Sequence, residues 1–295
     1  MSLRLEMLQV ARVAPKVLGD ASELVQDFLG NQQNPDGGFK DRKGKSDLYY
    51  TVFGMDALAV FQQEPNLGAV EKFLLSFGEG EGLDLVHLSC LIRCWGTIGP
   101  DRMSKNLRAT LLKQLENFRK PCGGWDNNPE RDHGTAYGSF LALGAYQDMG
   151  KLPPKPLRIL QSLKQLETPD NAWNNHPNLP IGSTNPTAGA VVLLNNLHLP
   201  INAEVGQWLR SRLHTQGGFV AVPDAPMPDL LSTATTLHAL AALEVRLNEE
   251  ETERCLDFVD SLWDATGGFH GHWSDDYVDC EYTFYGLLAL GHLSL

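Results

Sequence analysis

The sequence has little positive charge and little cysteine, and each shortage excludes a class of protein. Among its 295 residues, 24 Lys and Arg stand against 36 Asp and Glu, which gives a formal net charge of -12. Because such a chain has no basic excess with which to displace counterions, we expect no binding to nucleic acid. The charged residues Arg4, Glu6 and Arg12 interrupt the apolar N-terminal segment, so we expect neither a signal peptide nor a membrane span there.

The cysteines are too scattered to form a disulfide framework. They are five in number, which is odd, and no two of them form a Cys-x-x-Cys pair. This usage is typical of reduced thiols in an intracellular protein. We therefore predict a cytoplasmic protein. The residues concerned are Cys90, Cys94, Cys122, Cys255 and Cys280.

What the sequence does contain is a repeat. A Gly-Gly-aromatic turn is followed by a polar loop and then by a run rich in Thr, Ala, Gly and Leu. Full copies begin at Gly37, Gly123, Gly217 and Gly267, and weaker copies lie at 80–83 and 171–173. The period is roughly 42 to 50 residues, which indicates stacked supersecondary units rather than one irregular domain.

Each repeat predicts a pair of helices. One helix of a pair is amphipathic, as in 248–262, whereas the other is nearly free of charge, as in 233–243 and 283–290. A helix that is apolar all round must be buried, and an amphipathic helix must cover it. No run shows sustained strand alternation. The sequence therefore predicts an all-α fold, a six-hairpin α/α toroid (α6/α6 barrel) that forms a single domain over 1–295 and is closed by the N-terminal helix.

The predicted helices follow the repeat along the chain. Asp20 and Glu23 have the spacing of a capping box, which predicts a helix to about Gln32, paired with 48–62. The later predicted pairs are 67–77 with 84–96, 102–119 with 134–147, 154–166 with 186–196, 202–214 with 230–243, and 249–263 with 280–292. Since every Gly-Gly loop precedes a buried helix, the N-termini of these helices should lie at one end of the ring and favour an anion there.

Two consecutive repeats carry more chemistry than the others. Gly37-Gly38-Phe39-x-x-Arg42-x-x-Lys45 is followed by Asp47-Leu48-Tyr49-Tyr50, and the next repeat contains Asp84-Leu85-Val86-His87. With these motifs and the Gly-Gly-aromatic repeats, the chain resembles the terpenoid cyclase and protein prenyltransferase toroid superfamily. It resembles most closely the β-subunits of protein geranylgeranyl and farnesyl transferases. The repeats are specific for the superfamily, and less so for one activity within it.

The resemblance implies an isoprenoid diphosphate as the ligand. In the β-subunits, the residues that match Arg42, Lys45 and Tyr50 bind this diphosphate. Clustered charges more commonly form a solvated loop, but here they have the family spacing and face helix N-termini. The resemblance also leaves open an α-subunit or a homo-oligomer as the protein partner.

The resemblance implies zinc only in part. Asp47 and His87 match two zinc ligands of the family, but the cysteine position holds Tyr49. A zinc ion that activates a thiol needs Asp, Cys and His with an open fourth position, and a phenol is a poor ligand at neutral pH. The missing thiolate therefore argues against zinc and against transfer onto a protein cysteine. Without a metal, His87 and Asp84 form an ordinary polar pair at a helix end.

A second comparison concerns the class II cyclases, which protonate an alkene or epoxide with the middle acid of Asp-x-Asp-Asp-Thr-Ala. The segment that begins at Asp229 lacks that acid, whereas Asp279-Cys280-Glu281-Tyr282-Thr283 keeps Glu281 in its place. A carboxyl group above an apolar cavity has a raised pKa and can donate a proton. Asp279, Glu281 and Tyr282 are thus the candidate catalytic residues, although acids here also commonly cap a helix.

Three functions remain open at this point. The resemblance favours a prenyltransferase-type enzyme that binds an isoprenoid diphosphate at the entrance to an apolar cavity. A terpene cyclase with Glu281 as its acid is the alternative enzyme, and a non-catalytic toroid that binds a lipid or a partner is the third possibility. A carbohydrate-active α/α barrel would need a spaced pair of carboxylates, for which the acids near Asp275 are candidates, but the Gly-Gly-Phe repeats favour isoprenoids.

Overall fold

The computed structural model describes the backbone of all 295 residues and every side chain except that of residue 100. The predicted all-α toroid is confirmed. Over the described chain the helices are α1 (Leu3–Ala11), α2 (Ala14–Leu18), α3 (Ala21–Gln32), α4 (Leu48–Val60), α5 (Leu67–Leu75), α6 (Leu85–Ile98), α7 (Lys105–Glu116), α8 (Ala136–Asp148), α9 (Arg158–Gln165), α10 (Thr184–Asn196), α11 (Glu204–Arg210), α12 (Leu230–Ala242), α13 (Glu249–Asp260) and α14 (Cys280–Leu293).

Three small antiparallel hairpins accompany the helices. Each consists of two strands of two residues, and each belongs to a Gly-Gly-aromatic turn or to its weaker copy at 171–173. In the first hairpin Phe39 pairs with Asp47 and Lys40 with Ser46. Alternation over two residues is too short to be recognised in a sequence. The strands are β1 (Phe39–Lys40), β2 (Ser46–Asp47), β3 (Glu167–Thr168), β4 (Ala172–Trp173), β5 (Phe269–His270) and β6 (Val278–Asp279).

The six nearly charge-free helices form the inner ring. They are the even-numbered helices from α4 to α14, each contacts the next, and α14 contacts α4. The amphipathic, odd-numbered helices from α3 to α13 lie outside them. We call the end at which the inner helices begin the mouth of the toroid and the opposite end its floor. The hairpins lie at the mouth because each leads into the N-terminus of an inner helix.

The Gly-Gly turns bind each repeat to the next outer helix. Gly37 has a φ of 102°, and a Cβ atom there would lie 2.1 Å from the carbonyl carbon of Ala69 in α5. Gly267 has a φ of 99°, and its Cβ atom would lie 2.2 Å from the carbonyl oxygen of Leu24 in α3. Both positions require glycine. Because the last turn packs on the first outer helix, the ring is closed by α3 as well as by the contact of α14 with α4.

In several repeats a buried threonine joins the Gly-Gly-aromatic turn to its inner helix. The amide of Phe39 donates to Thr51 Oγ1 at 2.9 Å, and that hydroxyl donates to the carbonyl oxygen of Asp47 at 2.6 Å. The same two bonds occur at Phe219 and Thr233. A buried amide needs a partner, so this arrangement explains the threonine in the first turn of α4 and of α12.

The N-terminal helix α1 contacts the inner helices α4, α8 and α14. The amide of Leu3 donates to Gln147 at the end of α8, and a Cβ atom on Gly291 at the end of α14 would lie 2.2 Å from the carbonyl oxygen of Val10. Helix α1 therefore closes the floor. Arg4 explains this position, since it pairs with the buried Asp56 at 2.6 Å.

One local prediction is wrong. Asp20 has helical backbone angles and makes no capping hydrogen bond through its side chain, so α3 has no capping box. An N-cap residue needs an extended backbone to accept from the first turn. The capping box that does form joins Asn248 and Glu251 at the start of α13. Among the described helices, none has the length and apolar character needed to cross a membrane.

Candidate active site at the mouth of the toroid

Arg42 links the first repeat to the last one. Its Nε donates to Asp279 at 2.9 Å, and its Nη1 and Nη2 donate to the two oxygens of Asp275 at 3.2 and 2.9 Å. Burial raises the pKa of Asp279, whereas for Asp275 the bonds from Arg42 outweigh burial and lower the pKa. Two carboxylates thus already hold the cation that matches the diphosphate motif.

Asp279 and Tyr282 orient Arg42 rather than face the interior. Asp279 is the N-cap of α14, where its Oδ1 accepts from the amide of Tyr282 at 2.9 Å while its Oδ2 binds Arg42. The guanidinium carbon of Arg42 lies 5.4 Å from the centroid of the Tyr282 ring, a cation–π distance. Two of the three predicted catalytic residues therefore make structural contacts to Arg42.

Glu281, the third residue, forms a carboxyl–phenol pair. The Tyr49 hydroxyl donates to Glu281 Oε1 at 2.5 Å. Burial raises the pKa of Glu281 to about 7, even though the bond from Tyr49 lowers it in part. Burial also raises the pKa of Tyr49 far above its usual value, so the phenol remains a donor. This pair gives the site an acid that is half protonated near neutral pH.

Below Glu281 lies a cavity of about 390 Å³ inside the ring, within the size range of small-molecule sites. Phe284, Tyr285 and Leu288 line it at the i+3, i+4 and i+7 positions from Glu281, so the carboxyl group lies on the same face of α14, one turn nearer the mouth. Aromatic rings supply much of the wall. They belong to Tyr49, Phe53, Tyr137, Phe140, Phe284 and Tyr285.

The lower part of the cavity is charged, which the sequence did not predict. Asp56 and Arg93 line it, and both are buried. Arg93 donates to Asp56 and to Asp148 at 3.3 Å each, and Arg4 from helix α1 completes a group of two cations and two anions. Burial raises the pKa of Asp148 despite the nearby arginines. The network is formally neutral, so its buried charges compensate one another.

A shallow depression of about 360 Å³ lies beside the acid at the mouth. Tyr50 belongs to it, and burial, with the charge of Asp279, raises the pKa of this phenol to about 12. Lys45 lies outside the lining, whereas its neighbour Lys43 is part of it. The lining residues are Asp41, Arg42, Lys43, Asp47, Tyr49, Tyr50, Val86 and His87.

The structure brings the two candidate zinc ligands together, but not as ligands. His87 Nε2 lies 3.3 Å from Asp47 and Nδ1 lies 2.8 Å from Asp84. The hydrogen bond to Asp47 is the main reason why the pKa of His87 rises to about 9. Both ring nitrogens of His87 thus face carboxylates, and the phenol of Tyr49, a poor zinc ligand, is engaged by Glu281. These residues do not fit zinc, and in the described part of the chain no cluster of three His, Cys, Asp or Glu side chains could hold a metal ion.

Comparison with known proteins gives the following similarities. A family model described as the prenyltransferase alpha-alpha toroid domain matches residues 5–89 and 187–294. No curated protein matches the sequence. Among solved structures, the type II terpene cyclase MstE from Scytonema has a TM-score of 0.61 at 13% identity, covering 94% of this chain and 97% of its own.

Two further solved structures are similar to the same extent. Candida albicans protein geranylgeranyltransferase-I, complexed with GGPP, has a TM-score of 0.63 at 13% identity and covers 99% of this chain and 90% of its own. A glycosidase, solved as a single-substitution variant, has a TM-score of 0.62 at 12% identity and covers 99% and 98%. At such identities the likeness shows the fold alone, so the choice among these chemistries depends on the residues of the site.

Proposed function

The chain belongs to the family of prenyltransferase α/α-toroid domains, and on that premise we propose that it is an isoprenoid cyclase in which Glu281 donates the initiating proton. The observation that carries the proposal is the position of Glu281. It is a buried carboxyl group with a pKa raised to about 7, placed above an aromatic cavity. An acid with this pKa is protonated in part at neutral pH, and water alone can return its proton after each turnover.

The carboxyl–phenol pair suits proton donation to a weakly basic carbon. Because Tyr49 donates to Oε1, the acidic proton resides on Oε2, and the hydrogen bond stabilises the carboxylate that is left behind. Addition of this proton to a double bond, or to an epoxide oxygen, leaves a carbocation. The next double bond attacks that cation and closes a ring. Aromatic faces such as Phe53 and Phe284 stabilise the positive charge through their quadrupoles, and loss of a proton at the end gives a neutral cyclic product.

The other neighbouring chemistries have less support from the site. A glycosidase needs a second carboxylate across the substrate from its acid, whereas the nearest acid in sequence, Asp279, is held by Arg42 and by its own helix N-terminus. Prenyl transfer needs cations that stabilise a departing diphosphate. Arg42 is already neutralised by two carboxylates, which leaves fewer cations for that purpose.

The test is incubation in D2O with two probes, geranylgeranyl diphosphate and the terminal epoxide of geranylgeraniol. A proton-initiated cyclase forms a cyclic product without releasing pyrophosphate, and with the diphosphate probe it places one deuterium on carbon. A prenyltransferase-type ionisation releases pyrophosphate and places no deuterium on the chain. Mass spectrometry of the products, with a pyrophosphate assay, separates the two. Retention of a probe without turnover would instead support a lipid-binding toroid.

The pH dependence of turnover should identify the acid. Since the active form of Glu281 is protonated, we expect the rate to be constant at low pH and to fall as pH rises through about 7. The bond from Tyr49 lowers the pKa of Glu281, so Tyr49→Phe should move the alkaline limb of the profile to higher pH. Tyr50→Phe, which removes the adjacent phenol, is the matched control. A limb that stays in place in Tyr49→Phe would contradict the assignment.

Diphosphate binding at the mouth is the second candidate function, because Lys43, Arg42, Tyr50 and the cationic His87 share one depression. The family motif assigns the lysine role to Lys45, whereas the depression assigns it to Lys43. We expect Lys43→Ala to weaken binding of geranylgeranyl diphosphate by about tenfold, the loss of one charge-assisted hydrogen bond, and Lys45→Ala to change it little. Calorimetric titration measures both. If only Lys45→Ala weakens binding, the family motif identifies the binding lysine better than the depression does. If neither substitution weakens binding, the depression is not the diphosphate site.

A further inference from the structure

Two histidines connect the inner cavity with the outside of the ring. His238 on α12 is buried and lines the cavity near its floor. Its Nδ1 lies 3.0 Å from Nε2 of His292 on α14. His292 is half-buried and borders a separate groove of about 680 Å³ on the outer surface, together with Leu240 and Val245. The pair thus spans the wall between α12 and α14.

Both imidazoles are neutral. Burial lowers the pKa of His238 to about 4, and burial together with the neighbouring ring lowers the pKa of His292 to about 3. In a bonded pair of neutral imidazoles one nitrogen donates and the other accepts. His238 Nε2 and His292 Nδ1 make no hydrogen bond with any residue that the structure describes. One of these free nitrogens therefore belongs to a ring that lines the cavity and the other to a ring that borders the groove.

We propose that His238 Nε2 is the base that removes the final proton of the cyclisation, and that His292 passes this proton to water in the outer groove. This inference rests on the proposed cyclase function. The proton leaves the carbon next to the last cation, and the electron pair of that C–H bond becomes the new double bond. His238 takes the proton on Nε2 and releases its Nδ1 proton to His292 Nε2. His292 then releases its Nδ1 proton to water, while Glu281 regains one from solvent at the mouth. Once the product has left, water takes the Nε2 proton of His238, and His238 Nδ1 and His292 Nδ1 regain theirs by the reverse shift through the pair.

The positions of the acid and of the histidine pair suit this order of proton transfers. Glu281 and His292 lie on the same helix, eleven residues apart, which corresponds to about 16 Å along its axis. A chain extended between mouth and floor can therefore be protonated at one end and deprotonated at the other. This separation also prevents acid and base from neutralising each other directly.

The other polar groups of the cavity are poorer bases. Asp56 is held by Arg4 and Arg93 at 2.6 and 3.3 Å. Burial raises the pKa of Cys90 to about 12 and that of Tyr137 further still, so both keep their protons. A neutral imidazole, even one of low pKa, takes a proton from a carbocation readily, because such C–H bonds are far more acidic.

The test compares the products of wild type, His238→Phe and His292→Phe from both probes in D2O. Since Glu281 is intact, we expect His238→Phe to consume substrate within about tenfold of the wild-type rate. Its main products should change to alcohols formed by water capture and to alkenes from earlier proton loss. His292→Phe should shift the products less and slow turnover. The base His238 is still present in this variant, but it has no neighbouring imidazole to which it can pass the proton. His176→Phe, at an exposed histidine, is the matched control and should change nothing.

The outcomes separate the two proposals. If wild type makes no cyclic product, the cyclase fails and the base fails with it. If wild type makes a cyclic product and His238→Phe makes the same one, the base alone fails. A readout without turnover is the tautomer, measured by ¹⁵N-NMR of labelled protein. We expect a proton on His238 Nδ1 and none on Nε2 at pH 7, and a proton on Nε2 would overturn the assignment.

Discussion

Glu281→Gln is expected to reduce turnover of both probes by about 10²- to 10⁴-fold, the usual contribution of a general acid. The amide has the same shape as the protonated acid, but it has no proton that it can donate to carbon. Its carbonyl oxygen can still accept from Tyr49, so the mouth should keep its structure. The measurement is the initial rate of cyclic product formation, with circular dichroism as the check on folding.

Two variants show whether the loss is specific to this carboxyl group. Asp279→Asn keeps a good helix cap and leaves Glu281 in place, so it should retain most of the activity while weakening the contact with Arg42. Glu281→Asp keeps the acid but draws it back by one methylene group, and should fall between wild type and Glu281→Gln. Full activity in Glu281→Gln, or a larger loss in Asp279→Asn, would mean that another group initiates the reaction.

The second large effect is expected in stability. Arg93→Met should lower the free energy of unfolding by about 3 to 5 kcal/mol, the usual cost of leaving a buried charge without its partner. Among the residues that the structure describes, the salt bridge of Asp148 is made by Arg93, so this variant leaves Asp148 unpaired. Asp56, which also contacts Arg93, would still be bound by Arg4. Denaturant unfolding followed by circular dichroism measures this difference.

An arginine of similar size on the surface supplies the control. Arg102 pairs with Glu71 at 3.0 Å, and both side chains are solvent-accessible, so Arg102→Met should cost less than about 1 kcal/mol. Adding Asp148→Leu to Arg93→Met should recover part of the loss, because the unpaired carboxylate is then gone. If Arg93→Met and Arg102→Met cost the same, the network does not stabilise the floor.

The order of the helices and their division into inner and outer ones could be predicted from the sequence, because the features that determine them are local. Gly37, Phe39, Asp47 and Thr51 lie within fifteen residues, so one repeat shows the turn, the cap and the buried hydroxyl together. Charge-free runs then identified the inner helices. The position of α1 could not be predicted in this way, since it depends on Arg4 finding Asp56, fifty-two residues later in the chain.

The candidate site was predicted only in outline because its pairs join opposite ends of the chain. Arg42 meets Asp279 at a separation of 237 residues, and Tyr49 meets Glu281 at 232. Ring closure predicts that these repeats are neighbours. It does not predict how α4 and α14 are rotated about their axes, and that rotation decides which side chains meet.

The two histidines were missed for a related reason. Their helices were identified as buried by the near absence of charge, and a histidine in such a run is ordinarily a packed core residue. Nothing in the spacing of His238 and His292 relates one to the other, because they lie on different helices at a separation of 54 residues. The signal that was available is a polar side chain in a helix predicted to be apolar all round.

Helix α1 makes the two ends of the cavity different, because it closes one of them. Because this helix closes the floor and contributes Met7 to the wall, we infer that a ligand arrives and departs through the mouth. A linear chain has no room to reverse inside about 390 Å³, so its direction is fixed on arrival. The leading end comes to lie near Arg93 and His238, and the trailing end stops beside Glu281.

A ligand anchored by its diphosphate in the mouth depression would present its allylic carbons to the acid, whereas a ligand that enters head group first would present its distal double bond. The two candidate functions thus require opposite directions of entry.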